Sequence, residues 1–120
     1  MKRILVVDDS NSMRALIRQT LIGAGHQVTE ACDGQDALDK LQLGKFDLVL
    51  CDVNMPRIDG LTLVKHVRAM PTFKFAPILM LTTELDPDKK RIAKEAGATG
   101  WLVKPFQPEQ LLATIKKVGA

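Results

Sequence analysis

The chain has 120 residues, 46% hydrophobic and 26% charged, which is enough for one core and has the composition of a globular protein rather than a disordered one. No apolar run approaches the roughly 20 residues that span a bilayer, and the stretch after Lys2 and Arg3 stays apolar only from Ile4 to Val7, too short for a secretory signal, so the sequence reads as cytoplasmic. A formal charge of +3, without Tyr and without basic runs interleaved with aromatics, gives no argument for nucleic acid as a partner.

Apolar character then alternates regularly between two periods. Ile4 to Val7 is a short β-branched run ended by acids and predicts a buried strand. Met13, Leu16, Ile17, Thr20, Leu21 and Ala24 follow at helical spacing, with Ser10 or Asn11 to cap the helix and Gly25 to end it. Val28 to Ala31 predicts a second strand, and Asp33 a cap for a helix carrying Ala37, Leu38 and Leu41 that closes at Gly44. Leu48 to Cys51 is the third strand and meets Asp52. A loop with Met55, Pro56, Asp59 and Gly60 opens a helix with Leu61, Val64, Val67 and Met70 inward, stopped by Pro71. Ile78 to Leu81 is the fourth strand, ended by Thr82 and Thr83. Asp86 before Pro87 starts a helix that carries Ile92, Ala93 and Ala96 and ends at Gly97. Trp101 to Val103 is the fifth strand, ended by Lys104 and Pro105, and Pro108 opens a last helix with Leu111, Leu112, Ile115 and Val118 inward.

Strands that alternate with helices imply an α/β fold, a single doubly wound five-stranded parallel sheet with five helices over residues 1–120. All strands of such a sheet end on one edge, where ligands of these folds bind. The first, third, fourth and fifth strands deliver Asp8 and Asp9, Asp52, Thr82 and Lys104 to that edge. Singly, each has an ordinary explanation: Asp8 and Asp9 could cap a helix, and Lys104 could be a solvated lysine. Together they predict a site. Like charges about 4 Å apart repel by roughly 4 kcal/mol at an effective dielectric near 20, so clustered carboxylates hold protons or recruit a cation. All-oxygen donors suit Mg2+. Asp52 is then placed as a nucleophile for a phosphoryl group, with Lys104 offsetting charge and Thr82 donating a hydrogen bond.

VVDDS, LCDVNMPRIDG, the TTE after the fourth strand and the KPF after the fifth stand in order through nearly the whole chain. This pattern resembles the receiver domains of two-component response regulators, with the stand-alone chemotaxis members nearest in pattern. The resemblance implies a flavodoxin-like strand order of 2-1-3-4-5. It also implies phosphorylation of Asp52 by a histidine kinase, and Mg2+ held by Asp8, Asp9, Asp52 and the backbone carbonyl of Asn54. Thr82 and Lys104 would contact the phosphoryl group, Asn54 and Glu84 would tune hydrolysis, and the bond from Lys104 to Pro105 would be cis. The chain would act in chemotaxis by docking to a flagellar motor switch protein, with a phosphatase as a further partner, and would catalyse only its own phosphorylation and dephosphorylation. With no further domain after Ala120, output is expected through another protein. Trp101 stands where chemotaxis members usually carry Tyr, so the aromatic switch of the family meets a larger side chain here.

Three other readings bear on function. A stand-alone receiver could serve as a phosphate sink or relay away from the motor. A phosphohydrolase of the haloacid dehalogenase type would need an acid two residues after Asp52, where Asn54 stands. A flavodoxin-like electron carrier would need a neutral phosphate loop where Asp8 and Asp9 stand. Lys89, Lys90, Arg91, Lys94, Lys116 and Lys117 crowd the last two helices, as a solvated face or as a docking surface for an acidic segment. Cys32 and Cys51 lack metal spacing, and His26 and His66 stand apart. The implied strand order would keep the two cysteines roughly 9.6 Å apart, beyond the about 7 Å limit for a disulfide.

Overall fold

Alternation along each strand decides how the layers form. In β1 (Arg3–Val7), Ile4 and Val6 join one buried cluster and Leu5 and Val7 the other. In β3 (Leu48–Asp52) and β4 (Ile78–Thr82), Leu48, Leu50, Leu79 and Leu81 join the first cluster, while Val49, Cys51, Ile78 and Met80 join the second. Strands apolar on both faces must be covered on both. The computed structural model describes residues 2–53, 59–83 and 87–119, apart from the side chain of Lys89.

The sheet runs β2-β1-β3-β4-β5, with every pairing parallel and β2 (Gln27–Ala31) and β5 (Gly100–Val103) at its edges. One face is covered by α1 (Asn11–Gly23) and α5 (Pro108–Gly119), which bury Ile17, Leu21, Leu111 and Ile115. The opposite face takes α2 (Gly34–Leu43), α3 (Gly60–Ala69) and α4 (Pro87–Ala96), through Ala37, Leu41, Leu63, Val64, Val67 and Ala93. Each fully buried Leu or Ile contributes about 2 kcal/mol relative to an exposed one. The two clusters therefore hold the layers without help from a disulfide, and both cysteines are free. Val7 pairs with Ala31 on one side and Cys51 on the other, so β1 separates the two thiol-bearing segments as the resemblance implied.

Caps fall where short polar side chains precede the helices. Ser10 accepts a hydrogen bond from the Met13 amide at 3.3 Å, Asp33 from Asp36 at 2.8 Å and Asp59 from Thr62 at 2.8 Å. Asp86, the expected cap of α4, lies outside the described residues. Gly25 and Gly97 adopt φ of 91° and 116°, the left-handed region that closes α1 and α4.

Some boundaries differ from the sequence reading by one residue. Asp52 and Thr82 are the last residues of β3 and β4 rather than the first beyond them. A polar side chain does not end backbone pairing: the Val53 amide still donates to the Leu81 carbonyl at 3.0 Å, and that of Lys104 to the Thr82 carbonyl at 2.7 Å. The buried stripe of α1 is narrower than expected, since Leu16 is 43% exposed, and in α4 Ile92 is 42% exposed while Ala93 takes the inward place. Pro71 stops α3 and opens a 3-10 turn, Pro71–Phe73, whose Phe73 completes the core under α3. Among the described residues no helix is long and apolar enough to cross a membrane.

Candidate functional site

The alternation that builds the core also aims the site. Asp8 continues the row of Ile4 and Val6, Asp52 that of Leu48 and Leu50, and Lys104 that of Leu102. Three side chains distant in sequence thus leave the carboxyl edge on the α1/α5 side and meet. The Lys104 Nζ donates to Asp8 Oδ2 at 3.2 Å and to Asp52 Oδ2 at 3.1 Å. Carboxylate oxygens of Asp8, Asp9 and Asp52 lie within 4.8 Å of one another. Asp8 is 0% and Asp52 8% exposed, whereas Asp9 faces solvent.

Burial pulls the Lys104 ammonium down, but the hydrogen bonds and charges of Asp52 and Asp8 outweigh it and hold its pKa above the ordinary value. Lys104 therefore stays charged throughout the neutral range. The second oxygen of Asp8 accepts from the Ser10 amide at 2.9 Å, which fixes the carboxylate at the start of α1. Beside them, burial and then the charges of Asp52 and Asp8 push the Cys51 thiol far above its usual range, so it packs as a neutral group and donates to the Asp52 carbonyl at 3.3 Å.

Gly60 lets α3 begin against this edge. A Cβ at that position would lie 2.3 Å from the Asp52 carbonyl oxygen and 2.8 Å from the Val53 Cα. The glycine of the LCDVNMPRIDG segment is thus a condition for placing Asp52.

Thr82 and Trp101 lie on the other side. By the same alternation Thr82 continues the row of Ile78 and Met80, and half-buried Trp101 packs against the cluster under α2, α3 and α4. The Lys90 Nζ sits over the indole at 5.0 Å from the ring centroid. Arg91 pairs with Glu95 at 3.2 Å, while Lys94, Lys116 and Lys117 point to solvent. The peptide bond from Lys104 to Pro105 is cis. Asn54 and Glu84 lie outside the described residues.

Sequence reasoning missed Arg14 and Glu30. Arg14 falls on the inward stripe of α1 with Ile17 and Leu21, and its Nη1 donates to the backbone carbonyl of Asp8 at 2.6 Å. Its Nε lies 3.6 Å from Glu30 Oε1, and Arg18 meets the same carboxylate at 3.3 Å. An arginine on a buried stripe was the available signal.

The donor set fits a small hard cation. Oxygens sharing one Mg2+ lie roughly 3–4 Å apart, close to the spread of the three carboxylates, and the exposed Asp9 leaves the cluster open to water on one side.

The sequence profile of the response regulator receiver domain matches residues 4–116. The chain belongs to that family. This receiver is 41% identical over 117 residues to the chemotaxis protein CheY of Pseudomonas aeruginosa, covering 97% of this chain and 94% of that one. It is 39% identical to the chemotaxis protein CheY-3 of Vibrio cholerae, covering 97% and 90%. The solved structure of the chemotaxis response regulator CheY4 of Vibrio cholerae superposes with a TM-score of 0.96 at 52% identity, covering 98% of both chains. The protein is a receiver of two-component signalling, close to chemotaxis proteins, and shares their five-stranded fold and strand order. Such domains are signalling proteins rather than enzymes with a separate substrate.

Proposed function

We propose that the chain, as a single receiver domain over residues 1–120, is a phosphorylation-operated switch in the cytoplasm, with Asp52 as its phosphoacceptor. One observation carries the reading: a lysine ammonium within 3.2 Å of two buried carboxylates that belong to an acid cluster on the carboxyl edge of the sheet. A histidine kinase would supply the phosphoryl group. An Asp52 carboxylate oxygen attacks the phosphorus, the bond to the donor histidine nitrogen breaks, and an acyl phosphate results. Water later returns Asp52 and releases inorganic phosphate.

Mg2+, when bound by Asp8, Asp9 and Asp52, with the Asn54 carbonyl as a further ligand, supplies charge neutralisation for the transferring group. Lys104, held charged by its neighbours, is already placed to follow an Asp52 oxygen and to meet the incoming phosphoryl oxygens. Thr82, at the end of β4, is the hydroxyl that turns toward those oxygens from the α4 side, and Trp101 on that side registers the change. Glu84 and Asn54 set the lifetime of the acyl phosphate. The basic side chains of α4 and α5 then receive the output partner, a flagellar motor switch protein in the chemotaxis reading.

Intact mass after acetyl phosphate, with and without Mg2+, tests this. A metal-dependent gain of one phosphoryl group that disappears in Asp52→Asn is expected; undiminished labelling of that variant would refute the assignment.

A further inference from the structure

Arg14 is the one guanidinium among the described residues that grips the backbone of an acid in the cluster. From the geometry we infer that Arg14 is a positioning residue for cation binding at the acid site, an inference that rests on the proposed Mg2+ site and deepens it. The Asp8 side chain is held at both oxygens, by Ser10 and by Lys104. Its main chain is held twice as well: the amide donates to the Ala31 carbonyl at 3.2 Å, and the carbonyl accepts from Arg14 Nη1 at 2.6 Å. That carbonyl belongs to the peptide joining Asp8 to Asp9. The grip therefore fixes the plane from which both carboxylates project.

Arg14 is itself immobilised. Its side chain is 14% exposed, its Nη2 donates to Asn11 Oδ1, and its Nε faces Glu30 Oε1 at 3.6 Å. Glu30 is held in turn by Arg18 at 3.3 Å, and its backbone carbonyl accepts from Lys40 Nζ at 2.5 Å. A planar fork with several fixed donors can hold a carbonyl, a carboxylate and an amide oxygen at once, which an ammonium on a flexible stem cannot. Glu30 also offsets the charge of Arg14, so the guanidinium orders the acids without acting as a rival cation.

Two mechanisms predict opposite signs, and this makes the inference decidable. If Arg14 acted on the site only through its charge, removing it would tighten cation binding. If it positions Asp8 and Asp9, removing it loosens binding. Calorimetric titration with Mg2+ alone, together with melting in chelator, is the experiment, on wild type, Arg14→Met and Arg14→Lys. Loss of an outer partner of a metal ligand typically weakens affinity by 10–100-fold, so Arg14→Met is expected to bind about tenfold more weakly. Arg14→Lys, which keeps the charge and loses the fork, should be weaker by roughly threefold or more. Because Arg14→Lys changes no charge, it keeps the test alive should Arg14→Met fail to fold. Unchanged or tighter binding in Arg14→Met, or full affinity in Arg14→Lys, overturns the inference, as does a fall in melting temperature with Mg2+ affinity intact. A wild type that takes up no Mg2+ sinks the metal site along with it, whereas a binding wild type with indifferent variants sinks this inference alone.

Discussion

Replacing Lys104 by methionine removes an ammonium and keeps most of its stem. In the metal-free protein this leaves Asp8 and Asp52, both nearly inaccessible to solvent, with carboxylate oxygens no more than 4.8 Å apart. At an effective dielectric near 20, that pair repels by about 3.5 kcal/mol or more, and each lost contact to Nζ had supplied about 5 kcal/mol of attraction. Part of this attraction only offset the desolvation of Lys104, so the net loss is smaller than the gross one. Breaking a buried pair by removing one partner costs about 3–5 kcal/mol, and roughly 3 is expected here, because Lys104 keeps 15% of its side chain exposed. For a chain of this length that is a fall in Tm of roughly 12 °C. The second variant makes the reasoning specific. Asp52→Asn relieves the repulsion, so Lys104→Met combined with Asp52→Asn should recover at least half of the loss, a coupling of about 1.5 kcal/mol or more. Added Mg2+ should restore Lys104→Met as well. Because the pKa of Lys104 in the folded protein lies above its ordinary 10.5, its contribution is fully present below that pH and is lost only as pH rises through the higher folded value. The difference between wild type and Lys104→Met should accordingly stay flat from about pH 6 to about pH 9. Urea unfolding in chelator measures all of this. A Lys104→Met within about 0.5 kcal/mol of wild type, or strictly additive double-variant energies, would show that the three charges do not interact as described.

Gly60→Ala puts a methyl 2.3 Å from the Asp52 carbonyl oxygen, a backbone atom that cannot swing away; the expected loss is about 2 kcal/mol, with slower phosphorylation of Asp52, and wild-type stability in thermal melts would contradict the close approach. Hydrogen bonds from Arg3 hold the Asp47 carboxyl below the usual 3.8. Wild type should therefore exceed Asp47→Asn in stability above that pH, and the difference should vanish as pH falls through the lower folded value; a difference that persists in strong acid would exclude this linkage. Cys51 is buried with its thiol pKa raised, and Cys32 is exposed. Native protein treated with a thiol alkylator should thus gain one adduct, on Cys32, within the time that urea-unfolded protein gains two, and rapid double labelling of native protein would deny the burial of Cys51.

Much of this was legible from residue order alone, and the exceptions have physical reasons. The apolar runs ending in Asp8, Asp52, Thr82 and Lys104 told which residues reach the carboxyl edge, because parallel strands must all end there. Which strands are neighbours came from resemblance, since hydrophobic pattern does not distinguish one buried strand from another. The strand ends were misplaced by a residue because the backbone ladder continues past Asp52 and Thr82 whatever their side chains. Leu16 and Ile92 fit the apolar stripes in sequence and yet are substantially exposed, because a helix lying on a sheet buries a narrower strip than its spacing suggests. Arg14 escaped notice because its target is a backbone carbonyl, which no side-chain motif announces.

The parity of the strands has a final consequence. Asp8, Asp52 and Lys104 end rows on the α1/α5 side of the sheet, while Thr82 ends a row on the side of α4, where Trp101 also lies. The sheet is thus a wall between the acids and the indole, and Thr82 reaches over its carboxyl rim. A change of the aromatic at Trp101 therefore leaves the footings of Asp8, Asp52 and Lys104 in place.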